Sequence, residues 1–267
     1  METHIQVKKP KAMAFILMLG AFIGLFGETA LNMALTNVME DFTIEPATAQ
    51  WLTTGYLLML GILVPVTALI MKWFSTRKLV IGGIIISLLG ALLAAMSVNF
   101  PMLMAGRIVQ AIGTGLILPI MLTVVLLIFP IQKRGVVMGI VGLVITTAPA
   151  VGPTLSGVII TSLGWSYIFW MSAIFYVLLL VGAYVVITNV SEITKPKIDV
   201  LSILLSTIGF GGIIFNLSTM AEQPISALIV WGPLFIGVIS LLLFGIRQFK
   251  MEQPMVNLRV SSIQCLH

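Results

Sequence analysis

Long apolar segments alternate with short polar stretches along most of the chain. Each apolar segment has about 20 residues or more, the length that an α-helix needs to cross the hydrocarbon core of a bilayer. The stretches between them carry charged residues, prolines or turn-forming residues. The pattern predicts eight transmembrane helices, over residues 13–35, 51–71, 79–98, 102–129, 135–163, 165–188, 200–220 and 225–249.

The composition supports a membrane protein and excludes an ordinary soluble domain. Hydrophobic residues make up 59% of the chain and charged residues 9%, whereas soluble domains carry about 25% charged residues. The predicted fold class is therefore an all-α polytopic membrane protein, with the lipid bilayer as its surroundings.

The basic residues predict how the helices are oriented. Thirteen of the fourteen lysines and arginines lie in the N-terminal segment, in every second loop or near the C-terminal end, as the positive-inside rule requires if both ends are cytoplasmic. The net charge of +5 thus reflects membrane topology and does not indicate a nucleic-acid partner. The thirteen residues are Lys8, Lys9, Lys11, Lys72, Arg77, Lys78, Lys133, Arg134, Lys195, Lys197, Arg247, Lys250 and Arg259.

The remaining basic residue, Arg107, lies inside the fourth predicted span, and the acidic Glu28 lies inside the first. With a helical rise of 1.5 Å per residue, both lie about 8–10 Å below the same side of the membrane. An arginine at a helix centre costs about 2.5–3.5 kcal/mol on insertion scales, so such residues indicate functional sites. Gln110 and Asn32, each one turn away, extend a polar stripe on their helices and favour a cavity lining.

Structural interpretations stay open for this pair. Arg107 is near enough to the outer surface to extend its guanidinium to the lipid headgroups. Glu28 can be protonated and simply hydrogen-bonded. Polar stripes can also join helices to one another without lining a cavity.

The fifth predicted span contains two prolines and several small residues close together. Pro149 and Pro153 each remove a helical hydrogen bond and kink a helix. Gly152 and Gly157 let another helix approach closely. This combination indicates a bent, tightly docked helix, which suits either permanent packing or a hinge.

Two of these segments resemble motifs of the drug–proton antiporters of the major facilitator superfamily. The segment APAVGPTLSG is similar to the antiporter motif of the fifth helix, with matches at Gly152, Pro153 and Gly157. The segment LMAGRIVQAIGTG is similar to the fourth-helix motif, with matches that include Arg107 and Gln110.

A third segment, ETALNMALTNV, is similar to the first-helix pattern of the fourteen-span branch of these antiporters. Thr29 and Asn32 match the pattern. Its aspartate position is Gly27 here, and the carboxylate follows as Glu28, about 100° further round the helix. In the cytoplasmic motif between the second and third helices, the aspartate position is Trp73. The likeness extends to about residue 260 and is to bacterial lincomycin-type multidrug efflux pumps.

The resemblance implies an architecture. Residues 13–188 form a six-helix bundle built from inverted repeats, and residues 189–249 form two additional transmembrane helices that link to a second six-helix bundle. Segments 1–12 and 250–267 are then cytoplasmic. The polar ending of the chain is unlike the start of another span, which suggests truncation before the second bundle. A bacterial cytoplasmic membrane is the implied location.

The resemblance also implies roles for single residues. Arg107 and Glu28 are expected to couple transport to protons. The antiporter motif is expected to comprise Pro149, Gly152, Pro153 and Gly157. The predicted lining of the substrate cavity comprises Thr29, Asn32, Tyr56 and Gln110.

Sequence motifs for other chemistry are absent. The chain has no phosphate-binding loop for ATP, no hydrolase motif and no histidine within an apolar segment. We therefore expect no enzyme, metal site or cofactor, with a proton gradient as the energy source. The leading hypothesis is a secondary transporter that exports amphipathic drugs or antibiotics by alternating access. The alternative is a fragment that transports nothing, or a half-transporter that needs a second chain.

Overall fold

The structure, a computed structural model, describes residues 9–191, 193–194, 199–219 and 227–250. Within these ranges the regular secondary structure is entirely helical, which confirms the all-α fold, and each helix overlaps one predicted span. The helices are α1 (Pro10–Phe42), α2 (Pro46–Trp73), α3 (Thr76–Ala95), α4 (Phe100–Ile128), α5 (Ile131–Leu163), α6 (Ser166–Val186), α7 (Val200–Thr219) and α8 (Ala227–Lys250).

Seven helices in the described ranges are long and apolar enough to cross a membrane. The described part of α7 contributes a shorter apolar stretch, Val200–Asn216. Most of the two predicted cytoplasmic end segments, 1–12 and 250–267, lies outside the described residues.

Some helices begin or end outside the predicted spans. α1 continues past residue 35 through Glu40 and Asp41, and stops at Thr43, whose φ of 52° is left-handed. α2 begins at Pro46 rather than at residue 51, because proline suits the first turn of a helix. Hydropathy identifies only the apolar part of each helix. The predicted spans are therefore shorter than these helices at the polar ends.

α1 packs against α2, α4, α5 and α6, while α3 packs along α4 and also contacts α6. The contact between α3 and α4 brings the two backbones close together. A Cβ on Gly106 would lie 2.6 Å from the backbone nitrogen of Ala94, so only glycine fits there. This contact fixes the part of α4 that carries Arg107.

Two apolar clusters fill the bundle, and polar residues of α4 lie between them. One cluster contains Leu17 of α1 and Ile120 of α4. The other contains Leu31 of α1 and Leu103 of α4. The buried polar residues of α4 between these clusters are Arg107, Gln110 and Thr114.

α7 and α8 pack against each other, and α7 lies along α2. Near the start of α2, the rings of Trp51 and Phe215 are 5.8 Å apart. Near its end, Leu69 and Phe244 are buried together, with Trp73 packed against them. Trp73, at the aspartate position of the cytoplasmic motif, therefore makes an apolar contact with this helical hairpin.

An ion pair joins the start of α7 to the last turn of α8. Asp199 precedes α7, and its carboxylate accepts hydrogen bonds from Nε and Nη2 of Arg247 at 2.8 and 2.9 Å. Ser202 donates to the same carboxylate from its backbone nitrogen and from its hydroxyl. The hydrogen bond from Arg247 is the main cause that lowers the pKa of Asp199 to about 2, so this carboxylate is charged at neutral pH.

Candidate functional site

Arg107 is fully buried among helices α1–α6. Its Nη1 donates a 2.8 Å hydrogen bond to Oε1 of Gln110, one turn further along α4. Its Cζ lies 4.0 Å from the ring centre of Tyr56 on α2 and 6.0 Å from that of Phe169 on α6. An arginine over an aromatic face gains about 2 kcal/mol when the pair is desolvated. The guanidinium is thus held between helices and does not extend to the headgroups.

Tyr56 connects Arg107 to α1. Its hydroxyl donates to the backbone carbonyl of Gly24 at 3.0 Å, and it lies 3.0 Å from Oγ1 of Thr114. Thr114 in turn lies 3.2 Å from the backbone carbonyl of Gln110. Gly24 permits this approach, since a Cβ there would lie 2.5 Å from Cγ2 of Thr114. A chain of hydrogen bonds therefore joins α1, α2 and α4.

Several buried polar atoms around Arg107 have no hydrogen-bond partner among the described residues. A buried donor without a partner costs about 1–3 kcal/mol, and more when it is charged. These donors can bind an acceptor such as a carboxylate or a polar group of a substrate. The atoms are Arg107 Nε and Arg107 Nη2, together with Gln110 Nε2, Ser87 Oγ and Tyr176 OH, although Tyr176 interacts with the Ser87 and Gln110 side chains.

Glu28 lies half-buried on α1, and no ion pair joins it to Arg107. α1 and α4 are in contact, as the predicted pairing requires. The residue of α1 that faces Gln110 is instead Gly27, where a Cβ would lie 3.7 Å from the amide nitrogen. The rotation of about 100° between neighbouring helical positions separates Glu28 from this direction. Its role in proton coupling, like that of Arg107, stays a prediction.

Two of the four predicted cavity residues contact Arg107 and two do not. Tyr56 and Gln110 contact its guanidinium. Asn32 is exposed and accepts a 2.6 Å hydrogen bond from α2, and Thr29 donates at 3.1 Å to a backbone carbonyl of its own helix. A role of all four in substrate binding stays a prediction.

The segment with two prolines lies on α5, which packs against α1. Gly152 faces Thr29 so closely that a Cβ would overlap Oγ1 of the threonine. Pro149 and Pro153 are exposed, and the Cβ position of Gly157 has no atom within 4 Å. α5 continues through both prolines as one helix. Close docking is therefore present at Gly152, whereas a hinge stays a prediction.

An apolar cavity of about 340 Å³ lies among α1, α5 and α6. Its lining includes Phe22 and Phe26 of α1, Val158 of α5 and Phe175 of α6. Ser172 also lines it, and its hydroxyl donates to a carbonyl of its own helix. This surface suits hydrocarbon, either from lipid chains or from the apolar part of an amphipathic molecule.

Sequence reasoning did not identify Thr114 or Ser87. Thr114 lies seven residues after Arg107 and four after Gln110, so helical spacing places it on the same polar stripe. That spacing was a usable signal. Ser87 had no such signal, because a serine in an apolar helix usually bonds its own backbone.

Comparisons with known proteins identify relatives for most of the chain. Residues 17–251 match the family model described as Major Facilitator Superfamily. The lincomycin resistance protein LmrB of Bacillus subtilis (strain 168) is 56% identical over 245 residues, which cover 91% of this chain and 51% of that protein. LmrB of Listeria monocytogenes serovar 1/2a (strain ATCC BAA-679 / EGD-e) is 52% identical over 243 residues, covering 91% and 52%. The chain thus spans about half the length of the curated relatives it matches.

The helical arrangement also matches solved transporter structures. The crystal structure of the peptide transporter POT in complex with sulfate superimposes with a TM-score of 0.66 at 15% identity, covering 91% of this chain and 53% of that one. At this identity the likeness concerns the fold alone.

Proposed function

Because this chain belongs to the major facilitator superfamily, we propose that it forms the first half of a proton-coupled drug efflux transporter of the fourteen-span branch. α1–α6 are the first six-helix bundle, α7 and α8 are the linking helices, and a second bundle completes the substrate pathway. The names and lengths of the relatives support this proposal. The protein lies in a bacterial cytoplasmic membrane, and the positive-inside rule favours a cytoplasmic location for both ends.

The buried guanidinium of Arg107 is the observation that carries the proposal. Its Nε and Nη2 are buried without a partner between two apolar clusters. Well-packed apolar residues in place of buried charges are often equally stable or more stable. A contribution to stability therefore does not account for this arginine, whereas a transport cycle that uses its charge does.

In the proposed cycle, Glu28 takes up a proton from the outer side and loses its negative charge. Its through-space attraction for the Arg107 guanidinium then disappears. The bundle favours the inward-facing state, in which the proton is released and the drug binds. Proton and drug each drive the cycle only because each binds one state better than the other.

Amphipathic drugs or antibiotics are the substrate class that we assign. The relatives are named for resistance to lincomycin. The cavity among α1, α5 and α6 offers apolar surface, and the donors around Arg107 offer hydrogen bonds to a polar group. The four predicted cavity residues are assigned to the same pathway.

Proton-driven dye efflux from everted membrane vesicles tests the proposal. The chain is expressed together with the second half of Bacillus subtilis LmrB, from the point where the similarity ends. We expect efflux that collapses with a protonophore, and its loss in the Glu28→Gln and Arg107→Ala variants. A Lys78→Gln variant, on the exposed start of α3, serves as the control that keeps efflux.

Two outcomes would contradict the proposal. Unchanged efflux in both variants removes Glu28 and Arg107 from the mechanism. No efflux from the wild-type pair, with both chains present in the membrane in normal amounts, favours the alternative of a chain that transports nothing. Expression of the chain alone separates a complete transporter from a half-transporter.

A further inference from the structure

Tyr56 makes two kinds of contact at once. Its ring lies 4.0 Å from the Arg107 guanidinium carbon on α4. Its hydroxyl is 3.0 Å from the Gly24 carbonyl on α1 and 3.0 Å from the Thr114 hydroxyl on α4. The side chain is fully buried, so in this conformation it is closed to a drug, and Arg107 occupies the ring face that a cationic drug would use.

The hydroxyl protons available to Tyr56 and Thr114 determine which hydrogen bonds can form. The Tyr56 hydroxyl has one proton, and the carbonyl oxygen of Gly24 can only accept, so that contact uses the tyrosine proton. The Thr114 hydroxyl then donates either to the Tyr56 oxygen or to the Gln110 carbonyl, 3.2 Å away. The hydroxyl of Tyr56 therefore ties α2 to α1 at Gly24, in addition to the hydrogen bond from Thr53 to Asn32 two turns further along α1.

The carbonyl of Gly24 also belongs to the helical turn that carries Glu28. In an α-helix the N–H of residue i bonds to the carbonyl of residue i−4, and residue 24 stands in that relation to residue 28. A shift of Tyr56 therefore acts on the carbonyl that holds the backbone of Glu28. No ion pair joins Arg107 and Glu28, yet Tyr56 contacts the first and the helical turn of the second.

We propose that Tyr56 is a positioning residue that couples the location of the Arg107 guanidinium to the α1 turn carrying Glu28. When Arg107 leaves the ring, Tyr56 shifts and its hydroxyl releases the Gly24 carbonyl, which loosens α1 at Glu28. The inference deepens the proposed function and rests on it for its role in transport. The mechanical link itself is measurable without transport.

The test uses thiol labelling at position 28 in membranes that contain the full chain. Cys265 is the single cysteine of the sequence, so Glu28→Cys in a Cys265→Ser background gives one reactive site. The labelling rate with a small methanethiosulfonate reagent is measured with Arg107 or Arg107→Met, each combined with Tyr56 or Tyr56→Phe. Tyr56→Phe keeps the ring under the guanidinium and removes the hydroxyl.

We expect Arg107→Met to raise the labelling rate several-fold when Tyr56 is present, and to change it little in the Tyr56→Phe background. A through-space effect of the arginine charge on the thiol would act equally in both backgrounds. An equal factor in both, or no effect of Arg107→Met in either, overturns the proposal. Arg107→Lys, which keeps a charge, replaces Arg107→Met if the latter does not accumulate in the membrane.

Arg77 and Tyr184 provide a matched control. The Arg77 guanidinium carbon lies 5.1 Å from the ring centre of Tyr184, and that tyrosine is exposed. The same set of substitutions, Arg77→Met and Tyr184→Phe, is expected to leave the labelling rate at position 28 unchanged. A change as large as that from Arg107→Met would show a general loosening of the bundle and would overturn the specific link.

Efflux measured with the second half supplied keeps the two proposals distinct. If Tyr56 couples Arg107 to α1 during transport, Tyr56→Phe shifts the pH profile of efflux, whereas Tyr184→Phe does not. Coupled labelling without any efflux supports the link and rejects the proposed function. If efflux occurs, Tyr56→Phe leaves its pH profile unchanged, and Arg107→Met changes the labelling rate equally with Tyr56 or Phe at position 56, the link is rejected. The proposed function then stands.

Discussion

Two arginines of this protein lie in opposite kinds of surroundings. Arg247 is 41% exposed, and its Nε and Nη2 both donate to the carboxylate of Asp199. Arg107 is fully buried, and the same two atoms have no partner within the described chain. An arginine that only fastens two helices completes its hydrogen bonds. The buried one keeps the edge that binds carboxylates unoccupied, which is the arrangement expected of a group that changes partners during a cycle.

The largest expected difference between the two arginines is in transport. With the second half supplied, we expect Arg107→Met to reduce proton-driven efflux to background, because the proposed cycle depends on the charge of this residue. Arg247→Met is expected to keep most of the efflux, because it only loosens the α7–α8 hairpin. Everted-vesicle assays on matched amounts of protein measure both.

Thermal unfolding of the same two variants is expected to rank them the other way round, with the larger loss of stability in Arg247→Met. Arg107→Met is expected to melt at the same temperature as the parent or higher, because a buried charge without an ion-pair partner is removed. Arg247→Met is expected to melt slightly lower. A large loss of stability in Arg107→Met would show that the buried arginine is structural, like Arg247.

Gly24 allows α1 to pack closely on α4 at the point where the Tyr56 hydroxyl contacts both helices. Gly24→Ala places a Cβ 2.5 Å from Cγ2 of Thr114, and overpacking of this kind costs about 1–3 kcal/mol. We expect a lower melting temperature and reduced efflux. Gly139→Ala is the control, since nothing lies within 4 Å of its Cβ position, and it is expected to be neutral or stabilising. Equal effects at both positions would contradict the packing.

The docking of α5 on α1 provides a second test of the region around the buried arginine. Gly152→Ala is expected to destabilise by about 1–3 kcal/mol through overlap with Thr29. Combining it with Thr29→Ala is expected to restore part of the loss, since the overlapping oxygen is removed. Gly157→Ala, on an open part of the same helix, is the matched control. Unfolding in detergent, followed by tryptophan fluorescence, compares the three variants with the parent.

The smallest expected effect belongs to the Asp199–Arg247 pair. The pKa of Asp199 is lowered to about 2, whereas the ordinary pKa of an aspartate is about 4. The stability that it contributes is therefore fully present above about pH 4 and is lost as the pH falls toward 2. Exposure of Arg247 keeps this contribution modest and sensitive to salt. The Asp199→Asn variant, compared with the parent between pH 5 and 2, is expected to lack this part of the pH dependence.

The helices and the presence of a charge inside α4 at position 107 were predictable from sequence because both depend on local pattern. Eight apolar segments correspond to the eight helices of the residues that the structure describes, and a charge in an apolar span is conspicuous. What surrounds Arg107 was not predictable, because it depends on how each helix is rotated about its axis. Gly27 rather than Glu28 faces Gln110, and Tyr56 on α2 lies under the guanidinium. No spacing within one helix specifies such contacts between helices.

Gly27 has space for a Cβ beside Gln110, and the acidic Glu28 is the next residue along α1. A Cβ there meets nothing nearer than 3.7 Å, and its neighbour is an amide nitrogen that lacks an acceptor. A Cβ at residue 27 therefore fits without a shift of its neighbours. Exchanging residues 27 and 28 changes the direction in which α1 presents its carboxylate, by about 100° around the helix, and with it the distance from that carboxylate to the buried cation.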